Sequence, residues 1–330
     1  MNDYLIFTDS SADLPHHIFE EYDLRIIPME YVVDGKTFTC HTESPDHDKH
    51  CDELFAAQKK GAEVHTSQIT PFAYVEAWEQ LLKEGNDILY LCMSSGLTST
   101  FDNVQTAIQQ LKEDYPDRKL IAVDTLSATQ GQGIMCTAAL MNRAAGMSIE
   151  ENAAWVEENR KYMCHRFMVG DLNYLHKGGR VSSAVAVVGT MLNIKPMLII
   201  NDEGKLDVVA KVRGQKPAVK RLITDYQKEM GVPDLPKLIY IGHTSLYEEV
   251  EVLKKQIEEI AEPGTIVECV NLGPIIGAHI GPSFFSVCGW ASTAELRDKK
   301  KEKAGAAAPA FCSCRIAAVF LFTRRRPTGK

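Results

Sequence analysis

The feature that most constrains the fold is an apolar segment that leads through a hydroxyl-rich turn into a helix. Residues 87–93 read Asp-Ile-Leu-Tyr-Leu-Cys-Met, which predicts a buried strand, and residues 101–112 have the spacing of a helix. Ser94, Ser95 and Gly96 open the turn between them. A strand that ends at a helix N-terminus gathers unpaired backbone N–H groups, a positive dipole end and hydroxyls. The sequence therefore predicts an α/β unit with a small-anion site here.

The anion that suits this turn is a carboxylate. No lysine follows Gly96, so the phosphate-binding pattern Gly-x-x-x-x-Gly-Lys is absent. Capping of an ordinary helix by serine or threonine accounts for the same turn equally well. The nine cysteines include no Cys-x-x-Cys pair, and we predict neither a metal nor a cofactor.

The first half of the chain alternates strands with helices, which predicts an N-terminal α/β domain with a mainly parallel sheet over residues 1–160. In such sheets, ligands bind at the carboxyl ends of the strands. Asp9 and Ser10 follow one strand, Ser94 and Ser95 follow another, and Asp124 follows a third. We expect these polar turns to converge. Asp9 also fits an Asx-turn or a helix cap, and that interpretation is favoured over direct ligand contact.

The second half mixes paired strands with helices, which predicts an α+β domain over residues 161–290. A helix is expected over residues 182–192 and a hairpin that turns at residues 202–204. Residues 291–330 form a basic extension that we predict to be disordered or nonnative. Its basic and short apolar runs would also suit transient contact with an anionic membrane surface.

Two further segments carry candidate binding residues. Residues 65–71 are predicted to form a polar turn ahead of a helix, and they include Thr66. Residues 273–282 contain three glycines and two prolines around His279, which predicts a tightly constrained loop. A histidine held in such a loop is a candidate for ligand contact, although a lone histidine is more often structural.

These motifs together resemble the DegV family of fatty-acid-binding proteins, which serve as the lipid-carrying subunit of bacterial fatty acid kinase. The resemblance covers about residues 4–290. The motifs that carry it, in chain order, are Thr-Asp-Ser-Ser-Ala-Asp-Leu-Pro at 8–15, Thr-Ser-Gln at 66–68, Ser-Ser-Gly-Leu at 94–97, Val-Asp-Thr-Leu-Ser at 123–127, Leu-His-Lys-Gly-Gly-Arg-Val at 175–181, Leu-Asn-Ile-Lys-Pro at 192–196 and Gly-Ala-His at 277–279.

The resemblance implies a lipid that lies between the two domains, with His279 across the cleft from Ser95. Its carboxylate would be bound by Thr66, Ser95 and His279, with Ser94 as the alternative to Ser95. The turns that line the site would include Asp9, Ser10, Gly96 and Gly277. Arg180 would be a docking residue for the partner kinase. Burying about 15 methylenes at roughly 0.8 kcal/mol each would supply the affinity, so the polar end has only to orient the acid.

The same reading makes the chain a carrier rather than an enzyme. It contains no Walker loop and no kinase signature, so a separate ATP-dependent fatty acid kinase would have to supply ATP. A rival hypothesis is a serine hydrolase, with Ser95 as nucleophile, His279 as base and Asp9 or Asp124 as the orienting acid. The rival is weaker because Met93 stands where the nucleophile elbow has glycine.

Charge narrows the class of partner. The formal net charge is −8, but residues 296–330 hold ten Lys or Arg against two acids, which leaves −16 on residues 1–295. An acidic body argues against nucleic-acid binding. The N-terminus has an acid where a signal peptide has cations, and together with the scattered cysteines it predicts a cytoplasmic protein.

Overall fold

The computed structural model describes residues 4–182, 193–229, 231 and 235–291. In chain order the strands are β1 Tyr4–Asp9, β2 Leu24–Ile27, β3 Met29–Val33, β4 Lys36–Cys40, β5 Val64–Thr66, β6 Asp87–Cys92, β7 Leu120–Asp124, β8 Met163–Met168, β9 Ile194–Ile200, β10 Leu206–Arg213, β11 Leu238–His243, β12 Ile266–Asn271 and β13 Phe285–Trp290. The helices are α1 His16–Tyr22, α2 His47–Lys59, α3 Pro71–Lys83, α4 Thr100–Asp114, α5 Thr129–Ala144, α6 Ile149–Asn159, α7 Leu172–Lys177, α8 Gln215–Glu229, α9 Tyr247–Glu258 and α10 Pro274–Ile280.

The first sheet is parallel throughout, in the order β2, β1, β6, β7. Its central strands are almost continuously apolar, as strands covered on both faces must be, and β6 is buried from Ile88 to Cys92. Helices α3 and α4 pack together beside this sheet, with α4 against β7. This arrangement confirms the predicted α/β class and the parallel sheet.

The second sheet has six strands, in the order β10, β9, β8, β13, β11, β12. Its pairs are antiparallel except for β11 with β12. This sheet-rich half confirms the expectation of mixed β pairs and helices. The predicted helix over residues 182–192 and the basic extension after residue 291 lie outside the described residues, apart from Ser182.

Helix α5 joins the two sheets. It packs against β1 and β6 of the first sheet and against β11 and β13 of the second. Its residues 129–142 are all buried; most are small or apolar, and the buried amides of Gln130, Gln132 and Asn142 are hydrogen-bonded within the protein. The Thr137 hydroxyl also lies 2.8 Å from the Tyr240 hydroxyl of β11. The two sheets therefore share a helix and face one another across it.

A small third sheet, in the order β4, β3, β5, brings the predicted binding segments to the space beside α5. Here the structure differs from two local predictions. Residues 64–66 form the strand β5 rather than a turn, and they pair antiparallel with β3. Residues 274–280 form helix α10 rather than an irregular loop, because Pro274 takes the first helical position, where its missing N–H costs nothing.

None of the helices in the described part of the chain is long and apolar enough to cross a membrane.

Candidate functional site

Two of the predicted binding residues meet at one edge of the space between the sheets. Thr66 lies at the end of β5, and His279 lies in the last turn of α10. The Thr66 Oγ1 and the His279 Nε2 are 2.9 Å apart. Gln58 of α2 fixes α10 by donating from its side-chain nitrogen to the carbonyl of Gly277 at 3.0 Å. Thr66 and His279 are thus held in contact by elements on either side of the space.

Glycines allow α10 to pack closely against α2 and against the segment just after α7. A Cβ atom at Gly277 would lie 2.9 Å from the Phe55 ring of α2, which leaves no room for a larger residue. A Cβ atom at Gly178, just after α7, would lie 2.4 Å from the Nδ1 of His279. The imidazole ring is therefore packed between Thr66 and the Gly178 backbone. Gly277 lies behind the histidine as a packing residue and does not line the cavity described below.

Burial keeps His279 neutral. Together with the nearby Arg180 charge, which acts in the same direction, burial lowers the pKa of His279 from 6.5 to about 4. A neutral imidazole has one N–H donor and one acceptor nitrogen. Because Nε2 faces the Thr66 hydroxyl, the ring either donates a hydrogen bond to that hydroxyl or accepts one from it. The tautomer of His279 therefore sets which way the hydroxyl points.

Arg180 completes this edge, although its sequence context had suggested a surface role. It lines the cavity together with Thr66 and His279, and its guanidinium donates to the carbonyl of Gly178. Burial lowers the pKa of Arg180, but arginine stays charged at neutral pH. Within the described residues no Asp or Glu forms an ion pair with it. We call Thr66, Arg180 and His279 the cavity rim.

The cavity next to the rim is about 250 Å³ in volume and lies between the two sheets. Its size is near the lower end of the range for ligand pockets, which is roughly 300–1,000 Å³. Among its described lining residues Arg180 carries the one formal charge, and no Asp or Glu is present. The apolar lining residues are Met29, Met93, Leu97, Phe167, Leu175, Ile200, Leu206, Ile275, Ile276, Ile280 and Phe284.

In the second sheet, every other residue along two neighbouring strands faces the cavity. His165 and Phe167 of β8 line the cavity, as do Ser286 and Cys288 of β13, and the two pairs are directly opposed in register. Burial lowers the pKa of His165 to about 3, and neither of its ring nitrogens has a hydrogen-bond partner among the described residues. Neither His165 nor the cavity position of Arg180 was predicted from the sequence. The glycine pair before Arg180 was a usable signal, since it permits close packing.

The hydroxyl-rich turn reaches the cavity through Leu97 and Thr98 rather than through its two serines. Ser94 is fully buried, and its Oγ donates to the carbonyl of Gly204 at 2.8 Å. Ser95 is exposed, its backbone N–H donates to Asp124 at 3.2 Å, and its side chain does not line the cavity. Gly96 lines an open cleft that adjoins the cavity and shares Arg180 with it. The structure therefore does not bring Ser95 together with Thr66 and His279, and its contact with a ligand stays a prediction.

The first predicted turn is an internal network. Asp9 is fully buried and accepts hydrogen bonds from the Tyr90 hydroxyl at 2.7 Å and the Ser11 backbone N–H at 2.9 Å. The latter bond is the Asx-turn that was the favoured interpretation. Ser10 is also buried, where it donates to the Cys40 carbonyl at 2.7 Å and accepts from the Met29 N–H at 3.0 Å. We call Asp9, Ser10, Ser11 and Tyr90 the strand-end network; none of them lines the cavity.

A serine-hydrolase relay is not assembled in this arrangement. Ser95 is exposed, whereas the His279 imidazole contacts Thr66. Asp9 is occupied by Tyr90 and Ser11, and Asp124 accepts from backbone N–H groups. Within the described ranges no cluster of His, Cys, Asp or Glu is placed to hold a metal ion. Together the rim and the cavity place a cation, a hydroxyl and an imidazole beside an apolar chamber.

The family model of the uncharacterised DegV proteins matches residues 4–291. A DegV domain-containing protein of Clostridium perfringens is 36% identical over 281 residues, which covers 85% of this chain and 95% of the relative. A fatty acid binding DegV family protein from Streptococcus agalactiae is 30% identical with a TM-score of 0.72, and the match covers 88% of this chain and 99% of that structure.

A more distant solved structure is the fatty acid kinase B3 protein of Streptococcus pneumoniae, loaded with linoleic acid. It is 18% identical with a TM-score of 0.75, and the match covers 88% of this chain and all of that one. At this level of identity the likeness shows a shared fold.

Proposed function

The chain belongs to the DegV family, and on that premise we propose that it binds one long-chain fatty acid in the cavity between its two sheets. The observation that carries the proposal is Arg180, a partly buried cation without an acidic partner among the described residues, at the edge of an apolar cavity. Leaving such a charge unpaired is costly, and a carboxylate from the ligand would pair it. The fatty-acid-binding relative from Streptococcus agalactiae supports this class of ligand.

In this proposal the ligand carboxylate binds at the cavity rim. Arg180 pairs with the charge, and Thr66 donates its hydroxyl hydrogen to a carboxylate oxygen, while His279 Nε2 orients that hydroxyl. The acyl chain then lies along the methionine, leucine, isoleucine and phenylalanine side chains of the cavity. Because the cavity is small, it must widen to take the whole acyl chain, and the lining side chains must move to allow this.

Isothermal titration with oleate tests the binding directly. We expect saturable uptake of one oleate per chain and much weaker binding of methyl oleate, whose ester has no charge to pair with Arg180. Equal binding of the acid and the ester would mean that the rim does not recognise a carboxylate.

We further propose that the bound acid is handed to an ATP-dependent fatty acid kinase. A carboxylate oxygen would attack the γ-phosphorus of ATP, the bond to ADP would break, and an acyl phosphate would form on the kinase complex. The family motifs support this role, including the Lys-Gly-Gly-Arg segment at residues 177–180. The cavity position of Arg180 favours a role in holding the acid over the predicted role in docking.

The kinase proposal is tested by measuring acyl phosphate formation with ATP, with and without a cognate kinase. We expect product when both proteins are present and none from this chain alone. Product from the isolated chain would contradict the carrier role. Arg180→Met separates the two roles of that residue, because loss of docking slows the kinase at unchanged oleate affinity, whereas loss of anchoring weakens oleate binding itself.

A further inference from the structure

Ser94 ties the two halves of the molecule together. It lies just after β6 of the first sheet, and Gly204 lies in the turn between β9 and β10 of the second. The Ser94 Oγ donates to the Gly204 carbonyl at 2.8 Å and accepts from the Gly96 N–H at 3.1 Å. With no exposed surface, its hydroxyl is not available to a ligand. The hydrogen bond joins residues 110 positions apart in the chain and so links the two halves directly.

Two glycines allow the two turns to touch. A Cβ atom at Gly96 would lie 2.6 Å from the Glu203 carbonyl oxygen, and one at Gly204 would lie 2.0 Å from the Ser94 Oγ. Gly204 also has a φ of +73°, a left-handed conformation that glycine adopts without strain. The contact is thus backbone against backbone, with the Ser94 hydroxyl at its centre.

The turn that Ser94 holds carries part of the cavity wall. Ile200 ends β9, Leu206 begins β10, and both line the cavity, with Leu97 of the first half opposite them. The turn is internally braced, because the Asn201 side-chain oxygen accepts from the backbone N–H groups of Glu203 and Lys205 at 3.0 Å each. A braced turn of this kind moves as a unit.

The hairpin is weakly attached to the rest of its sheet. β10 is an edge strand that pairs with β9. β9 in turn pairs with β8 at two positions, Phe167 with Leu198 and Met168 with Met197. Few hydrogen bonds therefore hold the far end of the hairpin, and segments of this kind open at low free-energy cost.

We infer that the β9–β10 hairpin is the gate through which the acyl chain enters and leaves, and that Ser94 is the latch that holds it closed. The inference rests on the proposed fatty-acid binding. Ser94 is then a positioning residue and not a contact for the carboxylate. Weakening the latch favours the open gate in the empty and the loaded protein alike, so association and dissociation both become faster while the affinity stays nearly constant.

Stopped-flow measurements with the fluorescent fatty acid cis-parinaric acid test the latch. Ser94→Ala removes the hydrogen bond to the Gly204 carbonyl together with the one from the Gly96 N–H, and we expect both rate constants to rise about fivefold with the dissociation constant changed by less than about twofold. Ser99→Ala, an exposed serine of the same turn, is the matched control and should leave both rates unchanged. A higher dissociation constant at an unchanged association rate would make Ser94 a ligand contact and overturn the latch.

The gate can also be locked. The ideal Cβ of residue 204 lies 3.3 Å from the Ser94 Cβ, close to the roughly 3.8 Å of a disulfide, so a Ser94→Cys, Gly204→Cys pair should cross-link. We expect release of cis-parinaric acid to be at least about tenfold slower in the oxidised protein than in the same protein reduced. Equal rates in the two states, with normal uptake by the parent, would overturn the gate alone. Absence of any uptake by the parent would overturn the proposed function, and the gate with it.

Discussion

The strand-end network and the cavity rim both consist of polar side chains, but the two groups differ in burial and in hydrogen bonding. In the network, the Asp9 carboxylate and the Ser10 hydroxyl are fully buried and bonded to protein groups. At the rim, Thr66, Arg180 and His279 are partly exposed, and Arg180 lacks an acidic partner among the described residues. Polar groups that are bonded within the protein stabilise the fold, whereas we expect a ligand to bind where a charge is left partly exposed.

The comparison predicts that network variants affect stability and rim variants affect binding. The largest effect is expected for Asp9→Ala, which leaves the Tyr90 hydroxyl and the Ser11 N–H without their acceptor. We expect the free energy of unfolding to fall by about 4 kcal/mol in urea titrations, with oleate affinity unchanged in the folded protein.

Asp117→Ala, which removes an exposed carboxylate, is the control and should change stability by less than about 0.5 kcal/mol. Should Asp9→Ala prove too unstable to purify, Tyr90→Phe removes a single donor from the same network. Loss of oleate binding at full stability, in either variant, would move the network into the ligand site.

The next largest effect is expected at Arg180. Replacing it with methionine keeps the bulk of the side chain but removes the charge that pairs with the carboxylate. We expect oleate affinity to fall about a hundredfold, or about 3 kcal/mol, in isothermal titration, with methyl oleate binding unaffected. Lys205→Met removes a neighbouring surface cation that pairs with Glu203, and it should leave both affinities unchanged. An equal loss for acid and ester would indicate damage to the cavity instead.

Thr66 and Ser95 provide a smaller and more discriminating test. The sequence predicts that both hydroxyls bind the carboxylate, whereas the structure places Thr66 at the rim and leaves Ser95 exposed. Thr66→Val should weaken oleate binding about fivefold, since one hydrogen bond is lost, and Ser95→Ala should weaken it less. A larger loss for Ser95→Ala would mean that the turn after β6 moves towards the rim when the ligand binds.

The smallest effect concerns protonation of His279. Burial and Arg180 lower its pKa to about 4, against 6.5 in an exposed histidine. Between about pH 6.5 and pH 4 the unfolded chain binds the extra proton, so this residue lowers stability as the pH falls through that window. A carboxylate bound at the rim favours the protonated ring and should raise the pKa of His279.

Proton NMR titration of His279 with and without oleate measures this shift. His243, whose burial also lowers its pKa to about 4, is an internal reference because its ring nitrogen accepts from the Leu246 N–H away from the rim. An unchanged or lower pKa of His279 with oleate bound would place the carboxylate elsewhere.

The fold was largely predictable because its strands are short apolar runs with clear turn signals. The turn at Asp34-Gly35 has both residues at positive φ, which this residue pair adopts readily in tight hairpins, and α3 begins at Pro71, directly after the predicted polar turn. The errors occurred where tertiary packing overrides local signals. Residues 274–280 read as a loop because of their glycines, yet Gly277 is needed for close contact with Phe55 within a helix.

The site was only partly predictable, since it depends on which polar groups remain without a partner. Thr66 and His279 could be identified from their segments, and they do meet. The sequence could not show that the Ser94 hydroxyl donates its hydrogen bond to the Gly204 carbonyl, because that contact joins residues far apart in the chain. For the same reason it could not show that Arg180 points into the cavity, or that His165 forms part of its wall.

The most direct test of the central claim is native mass spectrometry of the purified protein, combined with lipid extraction. We predict a mass increment that corresponds to one long-chain fatty acid per chain in the parent, with the same acid recovered in the extract. We also predict that Arg180→Met, purified in parallel, retains much less of it. A parent protein that carries no fatty acid, and takes up none when oleate is added in excess, would contradict the account.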